Sequence, residues 1–241
     1  MVRHCWHRCH AEIINVSDRP ITCMNDSSSR RQYAPATQRN RKSILEVLLQ
    51  VLPSTGTVLE VSSGTGEHAV YFAPHLHPRN WIPSDPNPLA RESIAAWRES
   101  CPTDNLYPPL ALDASDPVWV VERDELPESL HDIDFQRDPI VAIANINMIH
   151  IAPWSACLGL MAGARRILPP GGILYLYGPF KQGGRHTAPS NANFDESLQA
   201  QNPEWGVRDL DDVVAVARSE NLSLLRTYTM PANNLSVIFQ A

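Results

Sequence analysis

Val58-Leu59-Glu60-Val61-Ser62-Ser63-Gly64-Thr65-Gly66-Glu67-His68 is an apolar run that ends in a small-residue turn and passes directly into a helical pattern. It reads as strand, glycine loop, helix. Such a loop aims backbone N–H groups and the positive end of a helix at a ligand, and its glycines remove the Cβ atoms that would hold the ligand off. The spacing alone is a weak signal. The dinucleotide fingerprint is G-x-G-x-x-G, and here Ser62 stands at the first glycine position of a G-x-G-x-G loop.

Glu60 sharpens the reading, because a carboxylate at the strand's end suits a ligand carrying positive charge, whereas a pyrophosphate would be repelled. S-adenosylmethionine, with its sulfonium and ammonium groups, is the expected cofactor. Glu60, Ser62, Gly64 and Gly66 are therefore assigned to it. Downstream, Trp81-Ile82-Pro83-Ser84 reads as a second strand ending in Asp85, about twenty residues beyond the glycines, where a carboxylate accepts hydrogen bonds from ribose hydroxyls. As an N-cap before Pro86-Asn87-Pro88 the same residue has a plainer use; the ribose role is preferred. Leu110-Ala111-Leu112-Asp113-Ala114 reads as a third strand whose end, Asp113 with Ala114, suits the exocyclic amine of adenine.

Ile140-Val141-Ala142-Ile143-Ala144 is a near-continuous apolar run, as in a central parallel strand buried on both faces. Asn145, Asn147 and His150 leave its C-terminal end, where open α/β sheets bind ligands. Asn145 is assigned to the cofactor, Asn147 and His150 to the acceptor. A helix over 156–168 and the strand Ile173-Leu174-Tyr175-Leu176-Tyr177 follow. Residues 178–205 form a long polar insertion, and a long loop in a compact domain is commonly a lid or a binding loop. It is expected to cover the acceptor, with Arg185, His186, Asn191, Asn193 and Trp205 on it and Arg208 and Asp209 behind it. Leu210, Val213, Val214 and Ala217 mark a helix by their spacing, and two closing strands flank Pro231-Ala232-Asn233-Asn234. The fold expected is α/β, a Rossmann-like class I methyltransferase domain with a seven-stranded, mostly parallel sheet and a C-terminal β-hairpin.

Upstream of the glycine loop, Ile44, Leu45, Val47, Leu48, Leu49 and Leu52 fall on helical spacing until Pro53. Arg39 and Asn40 open that helix, and spacing alone makes them a solvated first turn. Residues 1–31 lack periodicity and are read as a disordered tail, the domain running over 32–241. His4, Cys5, His7, Cys9 and His10 match no closed four-ligand zinc pattern, so no metal is expected; Met24 offers a second translation start. The chain has 241 residues, 43% of them hydrophobic, enough for one full core. A formal net charge of -6 argues against an extended nucleic-acid surface. The five scattered cysteines suit a reduced protein, and no apolar run spans a membrane or serves as a signal peptide. A cytoplasmic location is expected.

Residues 58–69, Asn145-Ile146-Asn147-Met148-Ile149-His150, Tyr177-Gly178-Pro179-Phe180, Asn202-Pro203-Glu204-Trp205-Gly206-Val207-Arg208-Asp209 and Met230-Pro231-Ala232-Asn233-Asn234 resemble the methyltransferase-like 26 family and its bacterial relatives. The Arg39-Asn40 pair also matches. The resemblance runs from about Ala36 to the C-terminus and implies an S-adenosylmethionine-dependent methyltransferase fold, without naming a substrate. Arg39 and Asn40 are then placed at the cofactor. Methyl transfer is an in-line attack on the sulfonium methyl by O, N, S or C, with rate supplied by positioning and, where a proton must leave, by a base. His150 is the first base expected, since an unperturbed imidazole titrates near neutrality; Tyr177 and Asp209 stand behind it. No Asp/Asn-Pro-Pro-Tyr motif follows the fourth strand, which points to a small-molecule acceptor rather than DNA. Two other classes remain: a non-catalytic binder of S-adenosylmethionine or S-adenosylhomocysteine, and a nicotinamide oxidoreductase, for which Ser62 and the hairpin are wrong.

Overall fold

The computed structural model describes residues 30–241. The tail over 1–29, with its His/Cys cluster and the second start at Met24, lies outside the described residues. Helix α1 (Pro35–Val51) begins on Pro35, whose missing N–H costs nothing in a first helical turn, and buries Ile44, Leu45, Val47 and Leu48. Strand β1 (Thr57–Val61) is buried along its whole length, α2 (Glu67–His75) follows the glycine loop, and β2 (Asn80–Ser84) pairs with β1 in parallel. Helix α3 (Pro88–Ser100) starts from Asn87, whose side chain accepts the Leu89 N–H.

β3 (Ile140–Ile146), α4 (Trp154–Ile167) and β4 (Ile173–Gly178) continue the parallel winding, with β1 and β4 on either side of β3. The chain then makes a short β5–β6 hairpin (Lys181–Gln182, Arg185–His186), α5 (Pro189–Gln201) and α6 (Leu210–Ser219). It closes with β7 (Ser223–Met230) and β8 (Asn234–Gln240), antiparallel to each other, β8 inserting beside β4. The main sheet has six strands in the order β2-β1-β3-β4-β8-β7.

Side chains alternate across this sheet, which creates two apolar layers. Leu59, Val61, Ile143, Leu174 and Leu176 pack on α4 and α6 through Leu160, Met161, Val213 and Ala217. Val58, Ala142, Ala144, Tyr175 and Ile238 pack with α1 and α2 through Ile44, Leu45, Leu48 and Phe72. Among the described residues no helix is long and apolar enough to cross a membrane.

The seventh position of the sheet is irregular: residues 106–110 follow the outer edge of β2 in parallel through isolated bridges from Leu106 to Trp81 and from Leu110 to Ser84, outside the six continuous strands. Pro108 and Pro109 carry no N–H, and neither does Pro83 opposite, so a regular ladder cannot form there. The insertion is also more structured than a loop. Its hairpin and α5 converge on buried Asp195, which meets Lys181 Nζ at 2.8 Å and His186 Nε2 at 3.1 Å and accepts the Val207 N–H at 2.7 Å. Burial opposes ionisation of Asp195, but Lys181, the Val207 N–H and the Gln199 amide together outweigh it and hold the carboxyl below its ordinary range. Finally, Cys157 is a buried free thiol as expected, whereas Cys101 is disulfide-bonded.

Candidate functional site

At the C-terminal ends of β1, β2 and β3 the sheet opens into a cavity of about 780 Å³, large for a small-molecule site. The glycine loop forms one wall. Ser62 and Gly64 both take positive φ (59° and 58°), which turns the chain back under the cavity. The Gly64 N–H donates to Asp85 Oδ2 at 2.9 Å, and Asp85 Oδ1 accepts the Asn87 N–H at 2.9 Å. Asp85 therefore stands between the loop and the start of α3, facing the cavity. Gly66 serves the packing instead, since at φ 89° it caps α2, and a Cβ there would meet Ile94 Cα at 2.8 Å.

Glu60 is 1% exposed and lines the same cavity, its Oε2 accepting the Trp81 indole N–H at 3.0 Å. Burial raises its carboxyl to about 7, against hydrogen bonds from Trp81 and Ser63. Asp113, exposed and held by its bond from the Ser115 N–H, completes a row of three lining carboxylates with Ala114 beside it. Among the described residues lining the cavity there is no Lys or Arg. Asn147 joins the lining in a left-handed conformation (φ 65°), a strained state for a residue other than glycine.

Residues 32–40 close the near side, with Thr37 and Asn40 facing in. This strap is fastened to α2 and α3: Ala34 N–H donates to Glu67 Oε2, Gln32 N–H to Ser93 Oγ, and the Trp97 indole to Gln32 O. Arg31, lying 4.8 Å over the Trp97 ring, extends it past the domain boundary expected at residue 32. The far side is apolar, with Met148, Ile151 and Trp205.

The cavity thus gathers Asn40, Glu60, Ser62, Gly64, Asp85, Asp113, Ala114, Asn147 and Trp205 from the expected set. The others lie elsewhere. Arg39 is exposed and outside the lining. Asn145 lies outside the lining, donating to Val61 O at 2.9 Å while its Oδ1 has no partner among the described residues. Asn191 clamps Thr187 Oγ1 and Asn233 O, and Asp209 caps α6 and accepts the Gly184 N–H. Arg208 spends its guanidinium on the carbonyls of Ile149, Ala152 and Glu204. Tyr177 is buried outside the lining, hydrogen-bonded to Asn40 and Asn234, and burial raises its pKa.

His150 departs furthest from expectation. It is fully buried outside the lining, edge-on to Phe180, with Nδ1 accepting the Arg208 N–H at 3.3 Å. Its Nε2 is packed against Gly178, where an added Cβ would come within 2.5 Å. Burial first, then the Arg208 charge, lowers its pKa to about 3. An imidazole so sealed cannot serve as a base in the cavity. His68 is absent from the residues expected at the site, yet it lines the cavity, with Nε2 2.8 Å from Asn40 Oδ1 and its ring stacked on Phe72. Its signal is its place one residue into the helix after the loop.

The strand order, the parallel winding and the reversed β8 define a class I methyltransferase fold. Among solved structures the chain is similar to an O-methyltransferase family 2 protein from Planctomyces limnophilus in complex with apigenin (TM-score 0.66, 19% identity, 85% of this chain and 57% of that one). It is also similar to human N-acetylserotonin methyltransferase in complex with SAM (TM-score 0.64, 14% identity, 85% and 52%). The methyltransferase SibL gives a TM-score of 0.63 at 18% identity, with 85% and 55% covered. The chain thus spans little more than half the length of these proteins, and at such identities the likeness is one of fold. Residues 31–241 match the family described as protein of unknown function DUF938, and the chain belongs to that family.

Proposed function

We propose that this protein is an S-adenosylmethionine-dependent methyltransferase acting on a small molecule, its catalytic unit spanning residues 32–241 and akin to the methyltransferase-like 26 proteins. One observation carries the reading: three carboxylates at successive positions around the cavity, Glu60, Asp85 and Asp113, with no Lys or Arg among the described residues of the lining. That donor-seeking set fits a ligand bearing an ammonium, a sulfonium, ribose hydroxyls and an exocyclic amine, and it opposes the pyrophosphate of a nicotinamide dinucleotide. Gly64 adds to the fit, since space beside its Cα is open.

In this reading Glu60 faces the amino-acid end, Asp85 the ribose and Asp113 the adenine. The cofactor, when bound, supplies an electrophilic methyl group. The chain's own residues position the reactants: the strap over 32–40 excludes water from one side, and Met148, Ile151 and Trp205 offer an apolar wall to the acceptor. A binder without turnover is the second reading, favoured because neither His150 nor Tyr177 reaches the lining. Calorimetry with S-adenosylmethionine, S-adenosylhomocysteine and NAD tests the cofactor, and methyl transfer from labelled cofactor into a fractionated metabolite extract tests turnover. Binding of NAD in preference to both adenosyl ligands refutes the first; tight binding with no labelled product favours the second reading.

A further inference from the structure

Resting on the methyltransferase reading, we propose that His68 recognises the methyl acceptor, its Nδ1 taking a hydrogen bond from an O–H or N–H on an acceptor without negative charge. The orientation of the ring is fixed from outside the cavity. Nε2 lies 2.8 Å from Asn40 Oδ1, and Asn40 is joined to the Tyr177 hydroxyl, itself bonded to Asn234. One hydrogen-bonded chain thus links α2, α1, β4 and β8. The flat side of the ring rests on Phe72, centroids 5.2 Å apart and planes inclined by 11°.

With Nε2 donating to an amide oxygen, the neutral imidazole carries its lone pair on Nδ1. That nitrogen has no partner among the described residues, and it is not one of the sealed orphans, which are Asn145 Oδ1, His150 Nε2 and His186 Nδ1. It is an open acceptor in a cavity whose carboxylates already answer the donors of the cofactor. A lone pair there asks for a donor hydrogen, and the absence of Lys or Arg from the described lining leaves an anionic acceptor without a counter-charge. Burial, aided by the Arg41 charge, lowers the pKa of His68 to about 3, so the lone pair persists at neutral pH. Its service is recognition and orientation, with no proton retained.

The test uses the full chain, labelled with ¹⁵N-histidine and saturated with S-adenosylhomocysteine, titrated separately with phenol, anisole and benzoate. Phenol should move the Nδ1 resonance of His68, anisole should bind at least about tenfold more weakly, as expected for one lost hydrogen bond, and benzoate should not bind. His68→Phe keeps the ring on Phe72 and should abolish the preference for phenol over anisole while leaving S-adenosylhomocysteine affinity unchanged. Equal binding of phenol and anisole by the wild type overturns the assignment, whether or not the variant folds. A matching loss of S-adenosylhomocysteine affinity in His68→Phe overturns it too, by moving His68 to the cofactor. Failure of the wild type to bind S-adenosylhomocysteine at all is read separately, in the first titration, and refutes the cofactor reading on which the proposal stands.

Discussion

The two glycines of the loop should respond to the same methyl group in opposite ways. Gly66 and Gly64 both hold positive φ, 89° and 58°, so alanine at either costs about 1–2 kcal/mol of backbone strain. Only Gly66 meets an obstacle, with Ile94 Cα at 2.8 Å and Ile94 Cγ1 at 3.0 Å from the added Cβ; Gly64 has nothing within 4 Å. Because a backbone atom cannot rotate aside, Gly66→Ala adds an overpacking cost of about 1–3 kcal/mol. For a domain of this size that places its Tm roughly 2–12 °C below that of Gly64→Ala. Gly64 lines the cavity and Gly66 does not, so the affinities should fall in the reverse order. Differential scanning calorimetry and isothermal titration with S-adenosylhomocysteine on both variants provide the assay. A Gly64→Ala protein that binds as well as wild type, or a Gly66→Ala protein as stable as Gly64→Ala, refutes the division of labour.

Asp85→Ala should weaken S-adenosylmethionine by about 1.5–3 kcal/mol, the scale of hydrogen bonds to a charged group; unchanged affinity in a folded variant removes the ribose assignment. Glu60 has its folded pKa raised to about 7 from 4.5, so the ligand-free protein binds more protons than the unfolded chain in that window and loses stability as pH rises through it. A cationic ligand needs the ionised form, hence S-adenosylmethionine affinity should climb between about pH 5 and 7 and then level; a flat profile, or one retained in Glu60→Gln, counts against it. His150 is lowered to about 3, so its contribution is fully present above about pH 6.5 and lost as pH falls toward 3. His150→Asn should therefore reduce proton uptake on acid unfolding by up to about one proton, measured from the slope of stability against pH, and an unaltered slope would show that His150 titrates freely in the native state.

The elements most legible in the sequence are those whose pattern is set by burial on both faces. Residues 58–61, apolar but for Glu60, and 140–144 are near-continuous apolar runs because they form the middle of the sheet, with strands on both sides and helices on both faces. The loop is legible for a related reason: tight turns leave their small residues visible. The segment 110–114 misleads because its apolar alternation is that of a strand, yet it meets β2 only at the bridge from Leu110 to Ser84, just beyond Pro108 and Pro109. The insertion misleads in the other direction. Its helix α5 covers little apolar surface, burying Asn191, Asp195 and Leu198, and so shows no apolar stripe to read.

The exchange of His150 for His68 at the cavity has the same root. Position beyond a strand end says that a residue is near the crevice, but it leaves open whether the side chain turns toward the ligand or back into the protein. Asn147 decides this: its left-handed conformation reverses the chain just after β3, and the turn over Met148–His150 then carries His150 under β4. There Gly178 has no side chain and Phe180 supplies an edge, so the imidazole fills the space their sequence leaves. His68 needs no such reversal. It follows Gly66 by two residues on a helix whose start is aimed at the cavity by the loop itself, and Asn40 from α1 holds its ring in place. Both placements follow from glycines, one that turns a loop toward the site and one that makes room behind it; of the two, only the first lies beside the histidine it positions in the sequence.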